Sequence, residues 1–377
     1  GKMKNGLMPI WAARPHSRDV SLNQRVLKLM DRLALDRHET VLVHNPSNMF
    51  YLSGYTGEGL VLIGREMQAI ITDFRYTEQA EKQAPGFSVE MTEKGVSHEA
   101  IVGRLCAEHE IDALYYEDDY LTVRAFEACR KAVPGVEWKS LHEEVQRIRQ
   151  IKDEDELSRI AEACRITGEA FERLLPEIKE GVTEKELALK LEFDMLTHGA
   201  TGLAFSTIVA AGANGSLPHA VPGDYKVRLG DMITFDFGAK YKGYCADMTR
   251  TVALGQPSDE MRKVYQTVLT AQQTARDAVM AGKCCKDIDA IARDYIYSHG
   301  YEGRFGHGLG HSVGIDIHEE PRLSMTCSAI LEENQIMTVE PGIYLPGVGG
   351  VRIEDSVIVK KDGCIPLTSP TRELIIL

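Results

Sequence analysis

The sequence lacks the features that mark disulfide-rich, membrane-spanning or nucleic-acid-binding proteins. None of its eight cysteines are spaced as CxxC, which indicates reduced thiols rather than a zinc knuckle or a disulfide framework. No apolar run approaches the roughly 18 residues that a transmembrane helix needs. The formal net charge is −13, whereas nucleic acids and anionic membranes require a basic face. We therefore expect no nucleic-acid partner and no membrane partner.

The start of the chain and its length suggest a location and a domain count. The basic segment Gly1–Lys4 is followed by no continuous apolar stretch and no cleavage site, so we expect no signal peptide and predict a cytoplasmic protein. A chain of 377 residues is long for one domain and comfortable for two. The texture of the sequence changes near residue 150, which predicts domains over 1–150 and 151–377.

Residues 21–145 alternate helix-like and strand-like stretches. Residues 22–35 have apolar side chains at the spacing of one helix face, and 100–109 and 120–132 also read as helices. Short apolar runs at 41–43, 60–63, 69–72 and 113–116 are typical of strands. This alternation predicts an α/β N-terminal domain.

Helix signals also punctuate the second half. The acidic segment Lys152–Glu156 favours a helix N-terminus, where the macrodipole is positive. A capping box at Thr183–Glu186 predicts a second helix that stops at Gly199. Further helices are expected over 258–281 and 286–299, ending near Gly282 and Gly300. The stretches between and after them are strand-like and rich in Gly, Asp, His and Glu.

Two aspartates lie on a predicted hairpin. Residues 232–239 and 244–252 read as strands joined by a tight turn. If the turn is centred on Tyr241 and Lys242, Asp236 and Asp247 face each other with Cβ atoms roughly 4.5–5.5 Å apart. Opposed like charges are destabilising unless a shared cation neutralises them. A one-residue change in loop length would alter this register.

Glu340 and Glu354 flank a Gly/Pro-rich turn and suggest a second acidic pair by the same logic. Both lie among apolar residues, where an unpartnered carboxylate costs several kcal/mol or shifts its pKa. Four carboxylates and one histidine are too many ligands for a single tetrahedral zinc site. They suit two divalent ions that share bridging ligands. Oxygen-rich ligation favours manganese, although cobalt or zinc would also bind.

Five motifs together carry a family resemblance. They are Phe235–Ala239, Ala246–Arg250, His307–His311, Glu340–Gly342 and Arg352–Asp355. Their order and spacing resemble the pita-bread metallopeptidases, in the Xaa-Pro aminopeptidase and prolidase branch. The resemblance covers residues 153–377 and implies an α+β pita-bread catalytic domain. More loosely, residues 1–150 resemble the creatinase-type N-terminal domain of that branch, which methionine aminopeptidases normally lack.

The resemblance implies a role for each matching residue. Its metal ligands would be Asp236, Asp247, His311, Glu340 and Glu354, with Asp247 bridging two ions. Glu340 would also carry a proton during hydrolysis of an Xaa-Pro peptide. His219 and His318 would hold substrate and stabilise the tetrahedral intermediate, while His307 and Arg352 match supporting positions. Arg322 resembles a carboxylate-binding arginine of prolidases. A homodimer is also implied.

Alternatives remain for single residues and for the whole chain. Any one of these acids alone is more often a solvated or salt-bridged side chain. Arg322 would then only pair with Glu319 or Glu320, His307 would pack beside the glycines, and Cys245 is expected to be a packing thiol. Rival functions are a metal-free creatinase-like hydrolase and a non-catalytic pita-bread binding module. Dipeptidase and aminopeptidase activity both remain open.

Overall fold

A computed structural model describes residues 18–377. The segment Gly1–Lys4, and with it the expected absence of a signal peptide, lies outside the described residues. The described chain divides into two compact units, 18–149 and 150–377. Among these residues no helix combines the length and apolarity needed to cross a bilayer.

The N-terminal unit is a mixed sheet with helices between its strands. The sheet runs in the order β4-β3-β2-β1-β5-β6, with parallel pairs β3–β4, β1–β5 and β5–β6 and antiparallel pairs β1–β2 and β2–β3. Its strands are β1 Glu39–Val43, β2 Leu60–Gly64, β3 Gln68–Thr72, β4 Ser88–Met91, β5 Ala113–Tyr116 and β6 Glu137–Ser140. Its helices are α1 Arg18–Arg32, α2 Pro46–Ser53, α3 Thr77–Gln83, α4 His98–Glu108, α5 Val123–Ala132 and α6 Glu144–Arg149.

The sequence predictions for this unit are confirmed with small shifts of helix ends. Strand β5 has the predicted bounds, and β1, β2 and β3 each extend their predicted run by one or two residues. Helix α1 ends at Arg32 rather than at residue 35, since Ala34 adopts a positive φ of 48°. Helix α5 begins at Val123 because Thr122 caps it by accepting from the amide of Ala125.

The second unit contains helices α7 Glu154–Leu174, α8 Glu184–Thr197, α9 Asp259–Asp277 and α10 Cys285–Ile296. Both predicted capping signals are confirmed. Asp153 and Glu156 form a capping box at the start of α7, and Thr183 and Glu186 form one at the start of α8. Helix α10 continues into a π-helical turn, Tyr297–Tyr301.

The predicted end of α9 near Gly282 is wrong, because the helix stops at Asp277. A few residues beyond it, two backbone amides bond to other segments. The amide of Ala281 donates to the carbonyl of Lys360, and that of Gly282 donates to Leu331. These tertiary bonds satisfy the backbone groups that a longer helix would have used.

Strands of the second unit form several small sheets. The sheets are β11-β10-β7, β12-β9-β8, β14-β13-β15-β18-β19 and β16-β17. An isolated antiparallel bridge between Thr249 and Glu354 connects two of them. The strands are β7 Gly202–Leu203, β8 Ile208–Ala211, β9 Met232–Phe237, β10 Ala239–Tyr241, β11 Tyr244–Cys245, β12 Met248–Ala253, β13 Gly310–Ser312, β14 Glu319–Leu323, β15 Ile336–Val339, β16 Gly342–Leu345, β17 Gly349–Arg352, β18 Asp355–Lys360 and β19 Gly363–Pro366.

Candidate metal centre

Asp236 and Asp247 come from the predicted hairpin, but the predicted register is wrong. Lys242 and Gly243 form the turn, both with positive φ as a tight hairpin turn requires. Asp236 therefore faces Thr249 across β9 and β12 rather than Asp247. The partner position moves by two residues, which preserves the alternation of side chains between faces. Asp247 consequently remains on the face of Asp236, in a diagonal position.

Glu340 and Glu354 occupy matching positions in one antiparallel register. Val339 pairs with Asp355 at the end of β15 and β18, and Gly342 pairs with Arg352 at the start of β16 and β17. The register continues unchanged across the gap between these pairs, so Glu340 lies opposite Glu354. Thr249 donates from its hydroxyl to Oε2 of Glu354 at 2.6 Å.

His311 lies in β13 with its ring held in one orientation. Its Nδ1 lies 2.9 Å from the carbonyl oxygen of Ser312, which can only accept a hydrogen bond. Nδ1 therefore carries a proton, and Nε2 is the ring nitrogen that faces the acids. That atom lies 3.3 Å from Oδ2 of Asp247 and 3.3 Å from Oε1 of Glu340. Burial opposes a charge on this ring, but the hydrogen bond and charge of Glu340 raise the pKa of His311 overall; a metal ion would take the place of the Nε2 proton.

The five side chains form two groups that share a member. Ligand atoms of Asp247, His311 and Glu354 lie within 4.8 Å of one another, and so do those of Asp236, Glu340 and Glu354. One carboxylate oxygen each of Asp236, Asp247 and Glu354 is buried without a hydrogen-bond partner among the described residues. Buried oxygens left unpaired in this way are costly unless a cation binds them. The donor set therefore fits divalent metal ions.

The pKa values of the acids in this cluster are strongly shifted. Burial raises the pKa of Asp236, Asp247 and Glu354, and repulsion between neighbouring carboxylates raises it further. Burial also opposes ionisation of Glu340, yet the hydrogen bond and charge of His311 lower the pKa of Glu340 to about 2. Several carboxyl groups that resist ionisation in one place are typical of a site where a cation supplies the missing positive charge.

The cluster opens into a cavity of about 430 Å³. Glu340 keeps 15% of its side chain exposed, whereas 6% of the Asp247 side chain is exposed, so Glu340 is the more accessible of these two carboxylates. The cavity is also lined by every other residue predicted to assist the reaction, namely His219, His307, His318, Arg322 and Arg352. The rings of His318 and His311 lie 4.5 Å apart between centroids and are inclined to each other at 66°.

The two predicted arginines have different environments. Arg352 is buried and donates from Nη2 to Oδ2 of Asp236 at 2.9 Å. Arg322 is half exposed; its Nε lies 3.4 Å from Oε1 of Glu320, and its side chain also lines the cavity. The expected pairing of Arg322 with Glu320 is thus present as a loose contact of a residue that also lines the cavity.

Comparison with known proteins agrees with this geometry. Residues 158–361 match the model of metallopeptidase family M24, and residues 24–151 match the creatinase/prolidase N-terminal domain. The chain belongs to metallopeptidase family M24. It has the creatinase-type N-terminal domain and the α+β pita-bread catalytic domain of this family.

Several relatives and solved structures are similar to this chain over more than 90% of its length. An uncharacterized peptidase of Bacillus subtilis is 40% identical, with 94% of this chain and 99% of that protein covered. A Xaa-Pro dipeptidase of Pyrococcus horikoshii is 34% identical over 94% of this chain and 99% of its own length. The structure of a Xaa-Pro dipeptidase from Bacillus anthracis superposes with a TM-score of 0.90 at 40% identity, covering 94% of this chain and all of that one. An X-Pro aminopeptidase from Thermotoga maritima gives 0.87 at 38% identity, covering 92% and 99%.

Two polar residues of this M24 peptidase, Tyr344 and Thr249, escaped sequence reasoning. The hydroxyl of Tyr344 lies 2.6 Å from Nε2 of His307 and accepts from Nη1 of Arg352 at 3.1 Å. The hydroxyl of Thr249 holds one oxygen of Glu354. Both residues lie within or directly beside motifs quoted above, but a lone hydroxyl has no spacing rule that distinguishes it. Phe205 and Ile208, which form apolar cavity wall, precede the motifs and carried no signal at all.

Proposed function

We propose that this M24 peptidase hydrolyses the bond between an N-terminal residue and a following proline. The observation that carries the proposal is the pair of ligand groups sharing Glu354, with unpaired buried oxygens, at the end of a substrate-sized cavity. Xaa-Pro dipeptidases of 34–35% identity over nearly the full chain support the substrate class. We assign catalysis to residues 151–377 and the creatinase-like domain to residues 1–150.

The proposed cofactor is two divalent metal ions, held by Asp236, Asp247, His311, Glu340 and Glu354. When bound, such ions supply a nucleophile from water at neutral pH and stabilise developing negative charge. Four carboxylates and one imidazole favour manganese, with cobalt or zinc as substitutes. Glu354 belongs to both ligand groups, and Asp247 is proposed as a second bridging carboxylate.

The residues around this cluster have separate proposed roles. Glu340, whose carboxylate is partly exposed, accepts the proton of the nucleophile and passes it to the proline nitrogen. His219 and His318 line the same cavity and donate hydrogen bonds to the oxyanion that forms at the scissile carbonyl. Burial lowers the pKa of His318, so the neutral ring makes this contact through an N–H group.

Arg352 and His307 support the cluster. Arg352 orients Asp236 through its 2.9 Å hydrogen bond. His307 contacts the same arginine indirectly, through the hydroxyl of Tyr344. Arg322 is proposed to bind the carboxylate of a dipeptide, since this half-exposed arginine lines the cavity.

We further propose a homodimer, as the family resemblance implies, and a cytoplasmic location, as the reduced cysteines favour. Sedimentation velocity at several protein concentrations tests the oligomeric state. A single monomeric species at all concentrations would reject the dimer.

A matched pair of substrates tests the main proposal. The protein should hydrolyse Met-Pro and leave Met-Ala nearly untouched, and prolonged chelation should abolish turnover until manganese is restored. Elemental analysis of the purified protein should find about two metal ions per chain. Undiminished hydrolysis after chelation would favour the metal-free creatinase-like alternative. Bound metal without hydrolysis of any Xaa-Pro peptide would favour the binding module.

A further inference from the structure

Lys152 is a buried lysine directly ahead of helix α7. Its side chain is 1% exposed, and its amide donates to the carbonyl of Asn334 at 3.0 Å. The neighbouring residue, Asp153, caps α7 through a capping box. The backbone that carries Lys152 is thus fixed on both sides, which limits the positions open to its ammonium group.

The ammonium group reaches two residues that face each other across a hairpin. Nζ of Lys152 donates to Oγ of Ser312 at 3.2 Å and to Oε1 of Glu319 at 3.1 Å. Ser312 and Glu319 are register partners of β13 and β14, and a bulge lies between His311 and Ser312. Lys152 therefore joins the two strands at the pair that closes the loop 313–318.

The loop itself is tied to the same carboxylate. Oε2 of Glu319 accepts from the amide of Asp316 at 3.0 Å, while the amide of Gly314 donates to the carbonyl of Asp316 at 3.1 Å. A side chain at Gly314 would collide with the Glu319 carboxylate, since an added Cβ would lie 2.6 Å from Oε1. The loop is therefore wrapped closely around the ion pair.

This hairpin carries two histidines of the site. His311 precedes Ser312, and His318 precedes Glu319, so each adjoins one residue that Lys152 contacts. Their rings lie 4.5 Å apart between centroids. Any change in the separation of Ser312 and Glu319 is passed through one peptide unit to both rings.

We propose that Lys152 is a positioning residue for catalysis, which sets the placement of His318 relative to His311 through its bonds to Ser312 and Glu319. The inference rests on the function proposed above, in which His318 contacts the oxyanion. Lys152 itself lies outside the residues that line the cavity and touches no predicted ligand side chain.

Stability alone is a poor explanation for this ion pair. Removing two charges from water costs roughly as much as their attraction returns, and apolar replacements of buried pairs are often neutral or stabilising. A charged pair that also bonds a hydroxyl, a strand end and a loop amide fixes direction as well as distance. The directional bonds of Lys152 and Glu319 can hold the hairpin in one geometry, which apolar packing alone would not do.

Two variants separate positioning from stability. Lys152→Met removes the ammonium group that bonds Ser312 and Glu319. The double variant Lys152→Met with Glu319→Gln removes both charges and keeps similar volumes. We expect the single variant to lower the Tm and the double variant to recover most of that loss. Both should show kcat reduced by about 10- to 100-fold on Met-Pro with KM changed less, as expected for a displaced catalytic group. Recovery of kcat together with the Tm would overturn the proposal.

A double-mutant cycle tests the link to His318. In a His318→Ala background, Lys152→Met should cause little further loss of kcat, because the group that it positions is gone. The control is Leu191→Ala, a fully buried core substitution in α8 that weakens the same domain away from the loop. Leu191→Ala should lower kcat by the same factor with and without His318. Full additivity of Lys152→Met with His318→Ala would contradict positioning.

Hydrogen–deuterium exchange supplies a readout that does not depend on the substrate. Amides of residues 313–318 should exchange faster in the manganese-loaded double variant, while those of β8 should match the parent. Unchanged exchange in the loop would overturn the proposal even if activity fell. If the parent protein hydrolysed no Xaa-Pro peptide, the proposed function would fail, and the exchange result would still decide whether Lys152 holds this loop.

Discussion

Arg352 and Asp236 form a buried ion pair in which only one carboxylate oxygen is used. Nη2 donates to Oδ2 at 2.9 Å, and Oδ1 of Asp236 is buried without a hydrogen-bond partner among residues 18–377. The other terminal nitrogen of Arg352 donates to Tyr344, which in turn contacts His307. The pair therefore restrains the Asp236 carboxylate, one oxygen of which lies within 4.8 Å of ligand atoms of Glu340 and Glu354.

Replacing Arg352 should weaken metal binding. Arg352→Met has two opposing effects on metal binding. Loss of the positive guanidinium favours a cation at the site, whereas loss of the bond that orients the Asp236 carboxylate disfavours it. We expect orientation to dominate and manganese affinity to fall about 10-fold, within the range found for residues that orient metal ligands. Calorimetric titration of the metal-free protein measures this. Arg322→Met, which removes a cavity arginine that bonds no predicted ligand, is the control, and tighter manganese binding in Arg352→Met would refute the orientation argument.

Glu340→Gln should abolish turnover while keeping the shape of the side chain. The amide cannot accept and return a proton, and it loses the negative charge that binds a cation. We expect kcat on Met-Pro to fall at least about 100-fold, in line with the loss of general acid–base catalysis. Glu333→Gln, at an exposed position, is the matched control and should match the parent. A Glu340→Gln enzyme with near-parental kcat would remove Glu340 from the mechanism.

The two adjacent histidines should separate into a ligand and a substrate contact. His311→Ala should empty at least one metal position, because Nε2 of His311 lies 3.3 Å from both Asp247 and Glu340. His318→Ala should retain both metals and lose kcat. Elemental analysis after dialysis distinguishes them. If His318→Ala lost metal and His311→Ala kept it, the two assignments would be exchanged.

The metal-free protein should lose stability as pH rises. Burial raises the pKa of Asp236, Asp247 and Glu354 in the folded state, so the folded protein holds protons that the unfolded chain releases near its ordinary carboxyl pKa of about 4. The stabilisation is complete below that pKa and disappears as pH rises through the raised values. Glu340 acts oppositely, but its lowered pKa of about 2 places its effect below this range.

Thermal unfolding of chelated protein measures this effect. The Tm should fall as pH rises above the ordinary carboxyl pKa of about 4, and Asp247→Asn, which mimics one protonated carboxyl group, should reduce the fall. Manganese should reverse the trend, because binding requires the ionised carboxylates and strengthens as pH rises. A Tm that rose with pH in the chelated parent would contradict the raised pKa values.

The sequence predicted which strand face each acidic residue occupies better than it predicted which residue lies opposite. Alternation along a strand fixes which face a side chain occupies, so Asp236 and Asp247 were correctly expected to share one. Whether they lie directly opposite each other depends on where the turn is centred. The turn lies at Lys242 and Gly243, one position later than Tyr241 and Lys242, and Lys242 has a positive φ. Glu340 and Glu354 do lie opposite each other, because the longer register on both sides holds them there.

Contacts between distant segments were beyond sequence reasoning. The bond from Thr249 to Glu354 joins residues 105 positions apart, and that from Lys152 to Ser312 joins residues 160 apart. No local period relates such residues, since only the packing of one sheet or helix against another brings them together. The end of α9 was predicted wrongly for the same reason, because backbone bonds to Lys360 and Leu331 replace helical ones.

Arg322 provides the test of substrate length. Its side chain is 51% exposed, touches Glu320 only at 3.4 Å, and borders the cavity, so it has freedom to turn towards a ligand. A guanidinium can grip a carboxylate bidentately, and the carboxylate of a dipeptide lies on the proline itself. In a tripeptide that charge lies one residue further away, and in a dipeptide amide it is absent.

Arg322→Ala should therefore lower kcat/KM on Met-Pro by about 10-fold or more, the scale of a charge-assisted hydrogen bond worth roughly 1.5–3 kcal/mol. The same variant should change kcat/KM on Met-Pro-Ala and on Met-Pro amide much less. Glu320→Ala is the control, because it removes the loose partner of Arg322 and leaves the guanidinium in place. An equal loss on all three substrates would show that Arg322 acts through structure rather than through the carboxylate. A parent protein that prefers the tripeptide would identify an aminopeptidase, since an enzyme that binds the proline carboxylate cannot also leave that direction open to a longer chain.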